Sequence, residues 1–296
     1  MTLDGTNSYL IDCGNGFVAV IDPGPAIDSH VDALIAASSQ LGGSIQAIFV
    51  THGHPDHFPA ATPLAARTGA PIYAHANARF AHTHDLLGER AVRLGDVRLQ
   101  TFDAPGHTFD HLVYVLVEEQ ALFTGDVIIG AGTVVIAPPG GAMRPYQRTL
   151  ERLRDQHGGA RTIYGGHGEA IADPRAKIDE YIAHRARRER ELLAVLATGP
   201  ATIPYLVGTI YAEIGDHLWP AAARQMLAYL EALTSEGRVR AVPLERAATT
   251  RERAILEPDL ARLASADEIP LLRAELGFGN TPSPVIEYEL ASAVRD

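Results

Sequence analysis

Two patterns of apolar and polar residues divide this chain. Up to about residue 170, short apolar runs rich in β-branched and aromatic residues alternate with Gly, Pro and Asp turns, which is typical of strands. We expect eight strands, at Ser8–Asp12, Phe17–Ile21, Ala47–Thr51, Ile72–Ala74, Val97–Phe102, Val113–Val117, Ala121–Thr124 and Thr162–Tyr164. Helical periodicity lies between them around Ser29–Ser39 and Tyr146–Gln156. Strands interleaved with helices predict a layered α/β domain at residues 1–180.

The pattern becomes helical from about Pro174 to Ser235. One apolar stripe follows Thr202, which is a predicted N-cap. It comprises Ile203, Leu206, Val207 and Ile210. A second stripe ends before Gly237 and comprises Met226, Leu227, Leu230 and Leu233. Alternation at Arg238–Val242 then predicts a short strand. Helices followed by a short strand outline a small helical winged-helix domain at residues 185–243.

Residues 244–296 are left as a C-terminal extension without an assigned role. They hold a weak helical pattern at Ile255–Leu263 and a Gly/Pro-rich stretch at Gly277–Pro284. The extension is a candidate cover for a pocket or for the surface of a homodimer.

Composition narrows the class of protein. The 296 residues are 46% hydrophobic and 21% charged, which supplies a normal buried core and excludes fibrous and disordered classes. The single cysteine, Cys13, excludes an internal disulfide. No apolar run is long enough to span a bilayer and the opening lacks a secretory signal pattern, so we expect a cytoplasmic protein without membrane partners. The net charge of −11 disfavours nucleic acid as a partner.

The richest cluster of candidate ligands is the string from Thr51 to His57, Thr-His-Gly-His-Pro-Asp-His, directly after an apolar strand. His52 and His54 are two positions apart, so on an extended segment they point the same way. Pro55 favours that extended geometry for His54. Asp56 and His57 then lie at the turn toward a helix that begins at Pro59, or at Pro63 with Thr62 as its N-cap.

Three further strand ends each present one candidate ligand beside a glycine, namely His107, Asp126 and His167. Strand ends are where sites assemble in layered α/β folds. The seven side chains divide into His52, His54 and His107 for one metal and Asp56, His57 and His167 for another, with Asp126 reaching both. Imidazoles and carboxylates suit two divalent ions, with zinc as the default and iron or manganese as alternatives.

The order H-x-H-x-D-H, then H, D and H, resembles the metallo-β-lactamase superfamily over roughly residues 1–175. The resemblance implies an αββα sandwich with a dimetal site at one edge. The opening 3–10, the run 184–190 and the segment 206–237 resemble the β-lactamase-like protein 2 type, which carries a C-terminal winged helix. One departure is Phe58-Pro59-Ala60-Ala61, where relatives usually have Gly-Gly.

Asp126, where one group of true β-lactamases has a cysteine, implies the hydrolase side of that superfamily. We expect a dinuclear metal-dependent hydrolase of a small-molecule thioester or ester, because the acidic surface disfavours a polyanion. A single-strand endoribonuclease and a mononuclear iron persulfide dioxygenase remain the alternatives. Asp56 is expected to act in catalysis as well as to bind metal. Arg144 and Tyr146 are expected to orient a carboxylate or phosphate of the substrate.

Two groups of polar residues are expected to have no role in the chemistry. His75, His82, His84 and His111 are predicted to be surface histidines. Arg185, Arg187, Arg188 and Arg190 alternate with acidic residues and are predicted to form a solvated helix face.

Overall fold

The computed structural model of the chain describes residues 5–256 and 285–291. The Gly/Pro-rich stretch and most of the weak helical pattern of the extension lie outside these residues. The chain forms two compact units, one made of residues 1–134 and 148–181 and the other of 135–147 and 182–296. Residues 135–147, which the sequence placed in the first domain, thus belong to the second unit.

A first five-stranded sheet opens the first unit. Its strands, in spatial order, are β1 (Tyr9–Asp12), β2 (Phe17–Ile21), β3 (Ser44–Phe49), β4 (Ile72–His75) and β5 (His84–Leu86). β1 is antiparallel to β2, and the remaining pairs are parallel. Helices α1 (Asp28–Gln40) and α2 (Ala61–Thr68) cover one face, where Leu34 and Leu64 pack with Val20 and Ile48.

A second five-stranded sheet follows. Its strands are β6 (Ala91–Leu94), β7 (Val97–Asp103), β8 (Leu112–Leu116), β9 (Ala121–Gly125) and β10 (Thr162–Gly165), in the order β10-β9-β8-β7-β6. Only β9 and β10 pair in parallel. Helix α3 (Met143–His157) contributes Arg152, whose guanidinium lies 4.5 Å from the centre of the Phe102 ring.

The core lies between the two sheets. Ile21 and Phe49 from the first sheet pack with Leu99, Tyr114 and Phe123 from the second. The Tyr114 hydroxyl donates a hydrogen bond to the Val50 carbonyl at 2.7 Å, so its buried polar atom is satisfied. The predicted αββα sandwich and all eight predicted strands are confirmed.

The start of α2 differs from both predicted positions. The helix begins at Ala61 behind Ala60, which makes no side-chain capping bond. Pro63 lies in the first turn, where a missing backbone N–H removes no intrahelical hydrogen bond.

The second unit contains the winged helix. Its elements are the end of α4 (Pro174–Thr198), β11 (Ala201–Thr202), α5 (Ile203–Ile210), a 3₁₀ turn at Asp216–Leu218, α6 (Trp219–Ser235), β12 (Val239–Pro243), α7 (Thr250–Leu256) and β13 (Ile286–Leu290). Thr202 precedes α5 as predicted, although its hydroxyl makes no capping bond. Both predicted apolar stripes are largely buried. The winged helix expected from the sequence is confirmed.

A small antiparallel sheet completes this unit in the order β11-β13-β12. Its central strand, β13, comes from the C-terminal extension and was not predicted. Among the residues that the structure describes, none of the helices is both long and apolar enough to cross a membrane.

Candidate metal centre

Four loops of the first unit carry the predicted ligands, and each follows a strand of the sandwich. The loop after β3 carries His52, His54, Asp56 and His57, and the loops after β7, β9 and β10 carry His107, Asp126 and His167. The structure brings all seven side chains together in two groups. The first consists of His52, His54, His107 and Asp126, and the second of Asp56, His57 and His167.

In the first group, three ring nitrogens converge. His54 Nδ1 lies 2.9 Å from His52 Nε2 and 3.0 Å from His107 Nε2. His107 Nε2 is 3.5 Å from Asp126 Oδ2. Ligands about 2.1 Å from one tetrahedral ion are roughly 3.4 Å apart, so these separations are close to those of a shared coordination sphere.

In the second group, Asp56 Oδ2 lies 3.5 Å from His57 Nε2 and 3.4 Å from His167 Nε2. Asp126 Oδ1 lies 3.6 Å from His57 Nε2 and 3.3 Å from His167 Nε2. The two oxygens of Asp126 therefore face different groups, Oδ2 toward the first and Oδ1 toward the second.

The donor atoms are prepared to bind a cation. His57 Nδ1 donates to Asp22 Oδ2 at 2.8 Å, and His167 Nδ1 donates to the Gly5 carbonyl at 2.9 Å. Each bond leaves Nε2 as the ring atom that is directed into the site. His57 Nε2 and Asp126 Oδ1 are buried and form no hydrogen bond within the described part of the chain. Because such orphaned atoms are costly, a metal ion fits this set of residues.

Asp22 and Thr51 hold two of the rings in place. Asp22 is 2% exposed and accepts hydrogen bonds from both the Thr51 backbone N–H and the Thr51 hydroxyl, each at 2.7 Å. The same hydroxyl accepts a hydrogen bond from His52 Nδ1 at 3.0 Å, which leaves His52 Nε2 as the ligand atom. Sequence reasoning missed Asp22, since its position at the end of β2 is 30 residues before the first histidine of the motif.

The electrostatics keep His52 neutral and Asp126 ionised, which are the forms that bind a metal, and favour positive charge at His57. Burial, reinforced by neighbouring histidines, lowers the pKa of His52 well below its usual value, so this ring is neutral. Burial opposes the charge of Asp126, but His167, His107 and His57 outweigh it and lower the pKa of that carboxyl. Burial also opposes the charge of His57, yet the Asp22 carboxylate overcomes it and raises the pKa of His57 to about 9. Asp22 and its neighbouring carboxylates thus favour positive charge at this ring, either a proton or a metal cation.

His111 corrects the prediction of a surface histidine. It is 1% exposed, its Nε2 accepts a hydrogen bond from the Asp126 backbone N–H at 3.1 Å, and its ring stacks on His52 with centroids 4.6 Å apart. The prediction was also wrong for His75, which is 6% exposed and accepts from the Asn77 backbone N–H. His84 is exposed as expected. His111 follows Asp110 and immediately precedes β8, a position with no sequence signal for a role beside the ligands.

Two glycines allow the loops to approach each other. Gly125 has a φ of +45°, and a Cβ there would lie 2.6 Å from Thr51 Oγ1. A Cβ at Gly166 would lie 2.6 Å from Asp126 Oδ1 and 2.7 Å from His57 Cε1. Any side chain at either position would displace a ligand or its partner.

The predicted substrate residues, Arg144 and Tyr146, lie in the second unit. The Arg144 guanidinium forms ion pairs with Glu189 and Glu236. Tyr146 is fully buried, with the Arg185 guanidinium 5.1 Å from the centre of its ring. Arg185 is itself 1% exposed, which corrects the expectation of a solvated face at that position. A role of Arg144 and Tyr146 in substrate binding stays a prediction.

Comparison with known proteins agrees with this geometry. Residues 1–167 match the metallo-beta-lactamase superfamily, and residues 202–246 match the beta-lactamase associated winged helix domain. The chain therefore belongs to the metallo-beta-lactamase superfamily. Membership, together with relatives named as thioesterases, makes it a metal-dependent hydrolase.

Individual relatives cover most of the chain. A beta-lactamase-like protein 2 homolog of Drosophila melanogaster is 31% identical over 257 residues, which are 81% of this chain and 86% of the relative. An atrochrysone carboxyl ACP thioesterase of Aspergillus chevalieri is 32% identical over 72% of this chain and 70% of its own length. A crystal structure of a metallo-beta-lactamase family protein from Thermus thermophilus superposes with a TM-score of 0.66 at 26% identity, covering 80% of this chain and 91% of that protein.

Proposed function

We propose that the protein is a dinuclear metal-dependent hydrolase of small-molecule thioesters or esters. His52, His54 and His107 would hold one ion, Asp56, His57 and His167 the other, and Asp126 both. The opposite directions of the two Asp126 oxygens support this division. Bound divalent ions supply a nucleophilic water at neutral pH and polarise the scissile oxygen.

Asp56 is the ligand that we propose also acts in catalysis. Its side chain is 30% exposed, whereas those of His57 and His167 are 0% and 4% exposed. One side of the carboxylate therefore faces solvent, from which an attacking water approaches. A carboxylate in this position accepts a hydrogen bond from that water and orients it toward the substrate carbonyl.

The proposed substrate class rests on the composition of the loops around the ligands, which we call the rim. The ligand-bearing loops at residues 51–60, 104–111, 125–132 and 165–169, and the adjoining residues 5–8, contain no Lys or Arg. They contain Asp110 and Glu169 in addition to the ligands. An enzyme that holds an RNA strand needs several cations for its phosphates, so this rim favours a small uncharged reacting group.

Aromatic side chains lie in or beside these loops, which lack Lys and Arg. Phe109 is 50% exposed between His107 and His111. Phe80 lies beside the histidine motif, since a Cβ at Gly53 would lie 3.7 Å from its ring, and it stacks on Phe58 with centroids 4.3 Å apart. An apolar acyl group would cover these rings from water. The thioesterase among the relatives supports the same class of substrate.

A single preparation loaded with zinc tests the proposal on thioesters and esters of increasing acyl length, a lactone, a β-lactam and single-stranded RNA. We expect thioester or ester cleavage to exceed cleavage of RNA and to increase with acyl length, because longer chains bury more apolar area. The variant His54→Ala should lose at least a hundredfold in kcat/KM, whereas His84→Ala, an exposed histidine outside the site, should retain it.

Other outcomes would overturn the proposal in identifiable ways. RNA cleavage that is abolished in His54→Ala and steeply weakened by salt, without thioester turnover, would identify an endoribonuclease. Oxygen uptake with a persulfide by a preparation holding a single iron would identify the dioxygenase alternative.

A further inference from the structure

The short segment Gly5–Asn7 crosses the second ligand group and contacts it at every residue. The Gly5 carbonyl accepts from His167 Nδ1 at 2.9 Å, and the Thr6 hydroxyl donates to Asp56 Oδ2 at 2.8 Å. The Asn7 backbone N–H donates to the Gly166 carbonyl at 2.7 Å. Three consecutive residues therefore bind the loop or side chain of two predicted ligands.

The Thr6 contact falls on the ligand atom itself. Asp56 Oδ2 is the oxygen that lies 3.5 Å from His57 Nε2 and 3.4 Å from His167 Nε2. The side chain of Asp56 retains 30% exposure and can rotate toward solvent. A hydroxyl donating to Oδ2 at 2.8 Å opposes that rotation and keeps the oxygen directed at the two imidazoles.

The Asn7 amide holds the loop that carries His167. Its Nδ2 lies 3.1 Å from the Gly165 carbonyl and 2.8 Å from the Gly168 carbonyl, one on each side of the histidine. The Tyr9 hydroxyl also donates to the Gly165 carbonyl, at 2.6 Å. Glycines flank His167 on both sides, so the loop has little side-chain packing of its own and depends on these bonds.

The first ligand group is held differently. His52 is fixed by Thr51 and stacks on His111, and its loop continues directly from β3. We propose that Thr6 and Asn7 are positioning residues for the second metal ion alone, so that the affinity of this ion can be changed without affecting the first. This inference rests on the two-metal site proposed above.

Zinc titration against a chromophoric chelator, with elemental analysis, measures the affinity of each ion separately. In the full chain, Thr6→Val keeps the shape of the side chain but removes the donor. We expect its second zinc to bind 10- to 100-fold more weakly, the usual cost of losing a partner of a metal ligand, while the first zinc binds as in the wild type. Thr6→Ser should restore the second affinity, and Asn7→Ala should weaken it. Thr209→Val removes an exposed hydroxyl that donates to the Tyr205 carbonyl of its own helix, so it is the matched control and should bind both ions normally.

Three results would contradict these expectations. Wild-type protein binding a single zinc would overturn the dinuclear site on which the inference rests. Two zinc ions bound equally well by Thr6→Val and the wild type would overturn the positioning role alone. Equal weakening of both ions in Thr6→Val, or failure of Thr6→Ser to restore the second affinity, would show a general structural role instead. Should Thr6→Val not fold, the comparison of Thr6→Ser and Asn7→Ala with the wild type decides between these outcomes.

Discussion

The Thr51 hydroxyl serves two partners at once. It donates its hydrogen to Asp22 and accepts one from His52, and Asp22 in turn accepts from His57. One hydroxyl and one carboxylate thus determine which nitrogen of His52 and of His57 is available to a metal. His111 holds Asp126 in place through the backbone. Its Nε2 accepts a hydrogen bond from the Asp126 backbone N–H, and the Asp126 side chain faces both ligand groups.

Replacement of His111 tests that task. His111→Phe keeps a ring to stack on His52 but removes the acceptor, so the Asp126 backbone N–H is left buried without a partner. We expect a loss of about 1–3 kcal/mol in the free energy of unfolding, measured by urea denaturation of the metal-free protein. His84→Phe, at an exposed position, should change it by no more than about 0.5 kcal/mol. Equal stability of His111→Phe and the wild type would show that the N–H finds another acceptor.

At the scale of elements, the sequence predicts most of the sandwich because long strands carry their own pattern. The edge strands β5 and β6 were not predicted, since His84–Leu86 and Ala91–Leu94 have only three and four residues and are largely exposed. β13 was missed although Ile286–Leu290 alternates apolar residues with glutamates, because its partner strand, Val239–Pro243, lies far along the chain and five residues alone do not reveal the pairing. The ligands were predictable from their residue types and strand ends, whereas Asp22, Thr6 and His111 were not, because their partners lie 15 to 50 residues away.

Helix α4 contains a histidine of the second unit, His184, whose pH response can be measured. Burial and then the neighbouring Arg185, Arg188 and Arg187 lower the pKa of His184 to about 4. In the unfolded chain a histidine has a pKa near 6.5, so between about pH 6.5 and 4 the unfolded state takes up a proton that the folded state does not. Stability is therefore complete at pH 7 and above and falls as the pH decreases through this window.

We expect the urea midpoint of the second unit to fall between pH 7.5 and pH 5 by more in the wild type than in His184→Gln, which has no titrating ring. Trp219 fluorescence follows this unit, because the chain has one tryptophan and it lies at the start of α6. Parallel decreases in the two proteins would show that His184 does not sense the pH.

At the scale of the whole molecule, the predicted metal ligands and the fluorescent tryptophan belong to different units. All seven predicted ligands lie in the first unit, and Trp219 lies in the second. The second unit has its own buried apolar core, with Leu206, Met226 and Leu230 each 0% exposed. Each unit therefore has the buried apolar core that independent stability requires.

Metal removal should therefore be visible in only one of two thermal transitions. A metal that binds the folded state at 100 times its Kd stabilises that state by about 2.7 kcal/mol, and a chelator abolishes this stabilisation. We expect chelation to lower the transition temperature of the first unit, followed by far-UV circular dichroism, and to leave the Trp219 transition unchanged. A Trp219 transition that shifts by the same amount would show that the two units unfold as one.

The bond between Gly5 and His167 joins residues 162 positions apart. During synthesis the ligand residues leave the ribosome in the order of the sequence. The last of them, His167, emerges only when nearly all of the first unit has been synthesised. Contacts so distant in sequence form late and slowly, because the intervening chain must be ordered before they are gained. The histidine motif at residues 52–57 is thus synthesised well before the second ligand group is complete. In the proposed two-metal site, the second ligand group is therefore completed after the histidine motif, when His167 joins Asp56 and His57.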